Sequence, residues 1–195
     1  WGEEDSGGDS SDVQSRLDNV QQIHATRNAF AAILADGSVV TWGDPEGGGD
    51  SCDFQEQLRN VRQIHATDGA FAALLADRSL VMWGGEEYGG DSYGAQNHLK
   101  NVQEVHATRI AFTAILADGS VFVWGKSGVS VGTSRVHDQL RNVQQVQSTH
   151  GAIAAILANG CVVAHGDPDA GGDSSEVQDQ LKGVQQVQAT NGAFA

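Results

Sequence analysis

Apolar and polar positions alternate in blocks along this chain, and the blocks predict short strands. Residues 29–35 (AFAAILA) form a small apolar run, which Asp36-Gly37 separates from the β-branched and aromatic residues 39–42. The length of the run, the Asp-Gly turn signal and the β-branched segment after it favour a hairpin over a helix. Residues 20–25 (VQQIHA) alternate as a half-buried strand does. The pattern therefore predicts three strands in this part of the chain.

The same block recurs at a constant step. Trp-Gly pairs begin at Trp1, Trp42, Trp83 and Trp124, each 41 residues after the one before, and His165-Gly166 follows at the same step. Further columns keep this step: Leu17, Leu58, Leu99, Leu140 and Leu181; Val20, Val61, Val102, Val143 and Val184; Phe30, Phe71, Phe112, Ile153 and Phe194. Such self-similarity is typical of solenoids, propellers and arrays, in which each unit buries one face against the next.

The apolar runs also predict how the units pack. A strand that is apolar on both faces has to be covered on both faces. Small side chains such as Ala31, Ala32 and Ala35 allow neighbouring sheets to approach closely, and large aromatic side chains fill the space between them. Radial packing of small antiparallel sheets meets these demands, so the sequence predicts an all-β propeller, or an arc of one. The predicted core aromatic residues are Phe30, Phe71, Phe112, Trp42, Trp83 and Trp124.

The step also predicts the domain organisation. Residues 1–195 form a single repeat domain with four full repeats and a partial fifth. Trp1 aligns with Trp42 and Ala195 aligns with Ala31, so the counterpart of residues 32–41 is missing between the two ends. One interpretation is a five-bladed ring whose ends meet inside one blade, and the other is a window of a longer propeller. The window is favoured, because a closed ring that lacks half of one hairpin would leave backbone groups unpaired.

The repeat resembles a known family. Its pattern, V-x-x-(I/V)-x-A-T-x-x-A-F-x-A-(I/L)-L-A-(D/N)-G-x-V-x-x-W-G, is similar to that of the RCC1-like propellers (regulator of chromosome condensation). Val143–Val146 matches the family's entering strand, and Trp124-Gly125 matches its closing Trp-Gly. Residues 116–121 (LADGSV) resemble its L-x-x-D-G-x-V hairpin, with one residue fewer between Leu and Asp. Two motifs differ: T-x-x-A stands where the family has G-x-x-H, and Gly48-Gly49-Asp50-Ser51 stands where it has G-Q-L-G.

The resemblance implies an RCC1-like β-propeller and several functions. Members of the family catalyse nucleotide exchange on a small GTPase, recruit substrates as arms of HERC-type ubiquitin ligases, sense ultraviolet light in plants, or act as scaffolds. The photoreceptor's G-W-R-H-T motif is absent from this sequence. Fold alone does not decide among the other roles.

Charge and composition narrow the partner classes. The chain has 11 Lys and Arg against 25 Asp and Glu, for a net charge of −14. This balance argues against nucleic acid, whose phosphates need clustered cations, and against anionic membrane surfaces. No stretch approaches the length of a membrane-spanning helix. Cys52 and Cys161 occupy different places in the repeat, so a disulfide framework is not expected, which favours a reducing, intracellular compartment.

Recurring polar residues suggest metal sites, each with a simpler structural interpretation. Asp9, Asp50, Asp91 and Asp173 lie in glycine-rich loops. Calcium prefers such oxygen ligands, but capping of a short helical turn explains them more simply; for example, Asp173 or Ser174 caps residues 176–181. His24, His65 and His106 are also in register, but later copies carry Gln147 and Gln188, which suit a structural position better than a metal ligand.

No catalytic motif is visible, so the sequence predicts neither an enzyme nor a cofactor or metal. The loops that differ among copies are the better candidates for partner contact. Loop 85–98 adds Tyr88 and Tyr93, and loop 126–137, with Lys126 and Arg135, is the one non-acidic copy. We therefore predict a non-catalytic scaffold that binds another protein through these four residues. The alternatives are a regulatory module (GTPase exchange or ligase recruitment) and a glycan-binding propeller.

Overall fold

A computed structural model of the chain describes residues 2–91, 99–125 and 140–195. Within these ranges the regular structure is twelve β-strands and six 3-10 helices of three residues each. The strands are β1 Val20–Ala25, β2 Ala29–Leu34, β3 Val39–Gly43, β4 Val61–Ala66, β5 Ala70–Leu75, β6 Leu80–Gly84, β7 Val102–Ala107, β8 Ala111–Leu116, β9 Val121–Gly125, β10 Val143–Ser148, β11 Ala152–Leu157 and β12 Val162–Gly166. The 3-10 helices are Glu4–Ser6, Gln14–Arg16, Pro45–Gly47, Cys52–Phe54, Glu86–Tyr88 and Pro168–Ala170.

The strands form four antiparallel sheets of three strands, each made by consecutive strands of one repeat. We number them sheet 1 (β1–β3) to sheet 4 (β10–β12). The chain divides into two compact units. Unit 1, Trp1–Asn101, contains sheets 1 and 2, and unit 2, Val102–Ala195, contains sheets 3 and 4. The predicted all-β architecture of small antiparallel sheets repeated every 41 residues is confirmed.

A β-bulge interrupts the first strand of every sheet. In β4 the pairing with β5 shifts between Val61 and Gln63, and the other three first strands shift at the equivalent place. The extra residue allows Val61 and Ile64, which are three positions apart, both to face the core, whereas a regular strand puts such residues on opposite faces. Strict alternation does not describe this strand.

The hairpin between the second and third strands is closed by an aspartate and a left-handed residue. In sheet 1, Asp36 Oδ1 accepts hydrogen bonds from the N–H and the Oγ–H of Ser38, at 2.9 and 2.6 Å. These bonds hold the pKa of Asp36 below its ordinary value. Gly37 follows with a φ of +79°. In sheet 2 the same position is Arg78, whose φ of +69° is unfavourable for a residue with a side chain.

A second left-handed position precedes each first strand, and the sequence analysis missed it. Asn19, Asn60, Asn101 and Asn142 have φ values of 55° to 56°, and Gly183 has 68° at the same place in the fifth repeat. Asparagine and glycine are the residues that tolerate this conformation best. The available signal was this column, in which asparagine recurs every 41 residues and glycine replaces it in the fifth repeat.

The core of unit 1 lies between its two sheets. Alternate residues of sheet 1 (Ala29, Ala31, Ile33) and Val39 pack against the opposite face of sheet 2. The residues of the second repeat in this cluster are Leu58, which precedes β4, and, from sheet 2, Val61, Ile64, Phe71, Ala73, Val81 and Trp83. The rings of Phe71 and Trp83 stack with centroids 5.2 Å apart and are fully buried. Trp83 Nε1–H donates to the carbonyl of Gly48 at 2.9 Å, which fixes the loop of one repeat on the aromatic pair of the next.

The two sheets of unit 2 also pack against each other, but sheet 4 lacks the stacked aromatic pair. Phe112 and Trp124 stack at 5.3 Å and are buried, whereas the next pair is replaced by Ile153 and the partly exposed His165. Sheets 3 and 4 share an apolar cluster that includes Val121, Val146 and Ile153. The predicted helical turn at residues 176–181 is instead a series of turns, in which Asp173 Oδ1 accepts from the N–H of Ser175. Gln178 Nε2 donates to the Val162 carbonyl and holds this segment on β12.

Candidate partner-binding groove

Unit 1 carries a groove of about 590 Å³ formed by four loops. The turns β1–β2 and β4–β5 and the loops that follow β3 and β6 contribute its lining. The lining residues are Arg27, Asn28, Asp44, Glu46, Gly47, Asp68, Gly69, Gly84, Gly85, Glu86, Glu87 and Tyr88. We call this site the acidic groove. Because each contributing loop leaves a strand of sheet 1 or sheet 2, the packed sheets fix the spacing of its walls.

Threonine hydroxyl groups attach the turns to the loops. Thr67 Oγ1 accepts from the N–H of Ala70 at 3.0 Å and donates to the carbonyl of Tyr88, also at 3.0 Å. Thr26 makes the matching bonds to Ala29 and to the carbonyl of Gly47. These are the threonines of the T-x-x-A motif. A glycine at this position has no hydroxyl group, so the motif change supplies a link between turn and loop that positions the groove wall.

The charge of the acidic groove is strongly negative. Its lining includes five carboxylates (Asp44, Glu46, Asp68, Glu86 and Glu87) against one guanidinium, that of Arg27. Arg27 Nη2 lies 2.9 Å from Asp68 Oδ2, and the Arg27 N–H donates to the Asp68 carbonyl at 2.9 Å. This pair joins the turns of adjacent sheets. Asp44 accepts from the N–H of Glu46 and thereby begins the 3-10 helix Pro45–Gly47. Glu46, Glu86 and Glu87 are exposed to solvent.

Tyr88 forms one wall of the groove. Its ring lies over Gly69 and Gly85: a β-carbon built on Gly69 would come within 2.6 Å of Tyr88 Cδ2. Glycine at position 69 is therefore required for the ring to lie flat there. Tyr88 is half-buried, so it offers one rigid aromatic face beside the carboxylates. The other predicted contacts, Tyr93, Lys126 and Arg135, lie outside the described residues.

The turn residues of the groove were not among the predicted site residues. Positions 27–28 and 68–69 vary between copies, as Arg-Asn and Asp-Gly, within the otherwise constant T-x-x-A motif. The opposite charges of Arg27 and Asp68, one repeat apart, were the signal that could have found them.

The chain is similar to several solved structures in fold, at low sequence identity. No family model matches the chain, and no curated protein matches it. Among solved structures, Prp20p from Saccharomyces cerevisiae matches with a TM-score of 0.53 at 17% identity, over 85% of this chain and 49% of that chain. Yeast RCC1 (Prp20) bound to Kap60 matches with a TM-score of 0.53 at 18% identity, over 85% and 47%. Human WBSCR16 matches with a TM-score of 0.52 at 16% identity, over 88% and 51%.

The fold is that of the RCC1-like propellers. The predicted resemblance is therefore confirmed at the level of the fold, and the chain spans about half the length of these solved structures. Trp83 is fully buried between sheets 1 and 2. Trp124 is 5% exposed, while Trp42 is half-buried, with its Nε1–H donating to the carbonyl of Gly7.

The recurring aspartates of the glycine-rich loops bind backbone groups. Asp9, Asp50 and Asp173 each accept from the N–H two residues later, at 2.9 Å. The pKa of each of these carboxyl groups is lowered by the hydrogen bonds. Within residues 2–91, 99–125 and 140–195, no three His, Cys, Asp or Glu side chains are arranged to hold a metal ion.

The in-register histidines are strand residues of different surroundings. Burial lowers the pKa of His24, whose Nε2 lies 3.2 Å from Gln22 Oε1. Burial also lowers the pKa of His106, against the opposing effect of Glu104, whose Oε1 lies 3.1 Å from His106 Nε2. Cys52 and Cys161 are both free thiols. No helix in the described part of the chain is long and apolar enough to cross a membrane.

Proposed function

We propose that this chain is a non-catalytic scaffold that binds a basic segment of another protein in the acidic groove. The observation that carries the proposal is that five carboxylates and the fixed ring of Tyr88 line one groove of about 590 Å³. Lysine and arginine side chains are attracted both by carboxylates and by an aromatic face. An extended basic segment in the groove would meet both groups.

Two further observations support a protein partner. Prp20p binds Gsp1p and histones, and the structure of yeast RCC1 was solved with Kap60 bound. Histones are basic proteins, and this chain has a net charge of −14. The acidic charge speeds association with a cationic partner and disfavours direct contact with nucleic acid phosphates. The predicted contacts Tyr93, Lys126 and Arg135 stay a prediction within this proposal.

The experiment measures the affinity of a fluorescent Arg- and Lys-rich peptide for the full chain by anisotropy. The double variant Glu86→Gln with Glu87→Gln should weaken binding about tenfold at low salt, because two exposed charges contribute on this scale. The matched control is Asp12→Asn with Asp18→Asn, which removes the same charge from exposed positions of unit 1 outside the groove. That control should stay within about twofold of the parent chain. Equal losses in both double variants would show attraction to net charge and would reject the groove.

Tyr88 tests the aromatic part of the proposal. Tyr88→Phe keeps the ring over Gly69 and should keep the affinity, whereas Tyr88→Ala removes the ring and should weaken binding about threefold to tenfold. If the two variants bind equally, the aromatic face does not contact the peptide.

The regulatory alternative has a separate test. Prp20p's binding to Gsp1p motivates an exchange assay in which release of labelled nucleotide from a small GTPase is followed with and without the chain. Acceleration of nucleotide release would replace the scaffold proposal by an exchange function.

The glycan-binding alternative needs in-register aromatic side chains at the surface. Burial of Trp83 and Trp124 argues against those residues as a glycan platform. A glycan array that showed multivalent binding would support the glycan-binding alternative instead.

A further inference from the structure

The acidic groove of unit 1 contains a cation of its own. The side chain of Arg27 extends from the β1–β2 turn, and its Nη2 lies 2.9 Å from Oδ2 of Asp68 on the β4–β5 turn. Both residues line the groove. The Arg27 side chain is 60% exposed and that of Asp68 is 23% exposed, so solvent reaches the pair. A guanidinium group therefore already occupies one carboxylate of this site.

The backbone on both sides of Asp68 is fixed by contacts with the groove wall. On one side, Thr67 Oγ1 donates to the carbonyl of Tyr88 at 3.0 Å. On the other side, the Tyr88 ring lies over Gly69. The glutamates of the groove have longer side chains and are exposed. A short side chain on a fixed backbone loses little conformational entropy when it binds a cation, so Asp68 is well placed to hold a guanidinium group.

The pairing of the turns does not depend on this ion pair. The N–H of Arg27 donates to the carbonyl of Asp68 at 2.9 Å. The same backbone bond recurs in unit 2, from Arg109 to His150 at 3.3 Å and from His150 to Asn191 at 3.0 Å. A histidine thus stands in unit 2 where Asp68 stands in unit 1, and the turns still pair. The bond between the Arg27 and Asp68 side chains is therefore an addition to a turn contact that forms without it.

Unit 2 also differs from unit 1 in the groups that would receive an arginine. Arg109 keeps the place of Arg27, but His150 replaces Asp68 and Ala170 replaces the groove tyrosine. An arginine at this turn therefore occurs in both units, whereas the carboxylate and the aromatic ring occur together in unit 1. The ion pair coincides with the groove in which a basic segment would bind.

We propose that Arg27 is a built-in occupant of the acidic groove, and that an arginine of the bound basic segment replaces it on Asp68. This inference rests on the proposed function, since it requires a basic segment in the groove. The replacement exchanges one guanidinium–carboxylate pair for another, and an exposed pair of this kind is weak, so a partner's arginine can compete with Arg27. A carboxylate accepts two parallel N–H bonds from a guanidinium group, whereas lysine offers a compact point charge. The site therefore favours arginine over lysine.

The test compares the parent chain with Arg27→Gln, Asp68→Asn and the double variant. Each chain is titrated by anisotropy with a fluorescent arginine peptide and with a lysine peptide of the same length and charge. Glutamine and asparagine keep the backbone N–H and C=O of the turns, so the bond between them at 2.9 Å remains. Arg27→Gln should tighten binding of the arginine peptide about threefold to tenfold, because the competing guanidinium group is gone. The parent should prefer the arginine peptide about threefold, and Asp68→Asn should abolish that preference.

The double variant separates replacement from simple repulsion. If Arg27 competes for Asp68, Arg27→Gln should change the affinity by less than about twofold in the Asp68→Asn background. If Arg27 only repels a basic peptide, its removal should help at least as much in that background, where no carboxylate at position 68 offsets its charge. The matched control Arg109→Gln removes the same charge from the equivalent turn of unit 2, and it should tighten binding by less than about twofold.

Three results would overturn the proposal: equal affinities of the parent and Arg27→Gln, an undiminished gain in the Asp68→Asn background, and an arginine preference that survives Asp68→Asn. If they occur while Glu86→Gln with Glu87→Gln still weakens binding, only the replacement of Arg27 is rejected and the acidic groove stays the proposed site. If neither the parent nor Arg27→Gln binds either peptide, the proposed function fails together with this inference. Binding to Arg27→Gln but not to the parent would support the replacement, since the parent groove would then be closed by its own arginine.

Discussion

Sheets 1 and 2 have nearly the same sequence, but their apolar faces are covered differently. Ile64 is 2% exposed against sheet 1, whereas the equivalent Ile23 is 56% exposed. Likewise, the stacked pair Phe71 and Trp83 is fully buried, and the pair Phe30 and Trp42 is half-buried, although the ring spacing is 5.2 Å in both. Burial in this fold is therefore a property of the neighbouring repeat as much as of the residue. Each repeat supplies an apolar sheet face, and in unit 1 sheet 1 covers the apolar face of sheet 2.

The largest effect expected from this difference is at the tryptophans. Trp83→Ala should destabilise unit 1 by about 3–5 kcal/mol, because it leaves a cavity between the sheets and an unpaired Gly48 carbonyl. Trp42→Ala should cost about 1–2 kcal/mol, because its ring is already half in water. Urea denaturation of the two variants measures both values. Equal losses would mean that the two pairs are buried alike in solution.

The isoleucines sharpen the comparison without an aromatic ring. Ile64→Ala should destabilise by about 2–4 kcal/mol, since Ile64 packs within the core of unit 1. Ile23→Ala should change stability by less than about 0.5 kcal/mol. The same denaturation experiment compares them, with far-UV circular dichroism as the control for an unchanged fold. A large loss for Ile23→Ala would show that this face is covered.

The sequence predicts the period, the strands, the hairpins and the aromatic columns, because each depends on local pattern. It does not predict that Trp42 and Trp83 differ in burial, because the two residues have matching local sequences and differ only in their neighbours. The bulge at Val61 and the left-handed Asn60 column are also missed, since a period-two model of the strand does not include them. In the acidic groove, Tyr88 was predicted as a contact, but its fixed position over Gly69 and the Arg27–Asp68 pair depend on two sheets coming together.

The hairpin turns offer a smaller contrast between the same two sheets. Arg78→Gly should stabilise the chain by about 1 kcal/mol, because residue 78 has a left-handed backbone conformation that glycine adopts without the steric cost of a β-carbon. Gly37→Ala should destabilise it by about 1–2 kcal/mol. A β-carbon at Gly37 would also lie 2.9 Å from the Cα atom of Asn60. Thermal unfolding of both variants gives the signs directly, and a destabilising Arg78→Gly would indicate that the arginine side chain makes a contact worth more than the backbone strain.

The smallest expected effect is on the pH dependence of the turns. Asp118 accepts from the Oγ–H and N–H of Ser120, and these bonds hold its pKa below the ordinary value of 3.8. A carboxyl group whose pKa is lower in the folded chain contributes stability above its unfolded pKa and loses it as the pH falls through the folded pKa. Asn159 makes the same backbone bond in sheet 4, to the N–H of Cys161, without titrating. Asp118→Asn should therefore keep the turn and lose slightly less thermal stability than the parent as the pH falls from neutral to below 3.8. Identical pH profiles would show that the Asp118 bonds are as strong in the unfolded chain as in the hairpin.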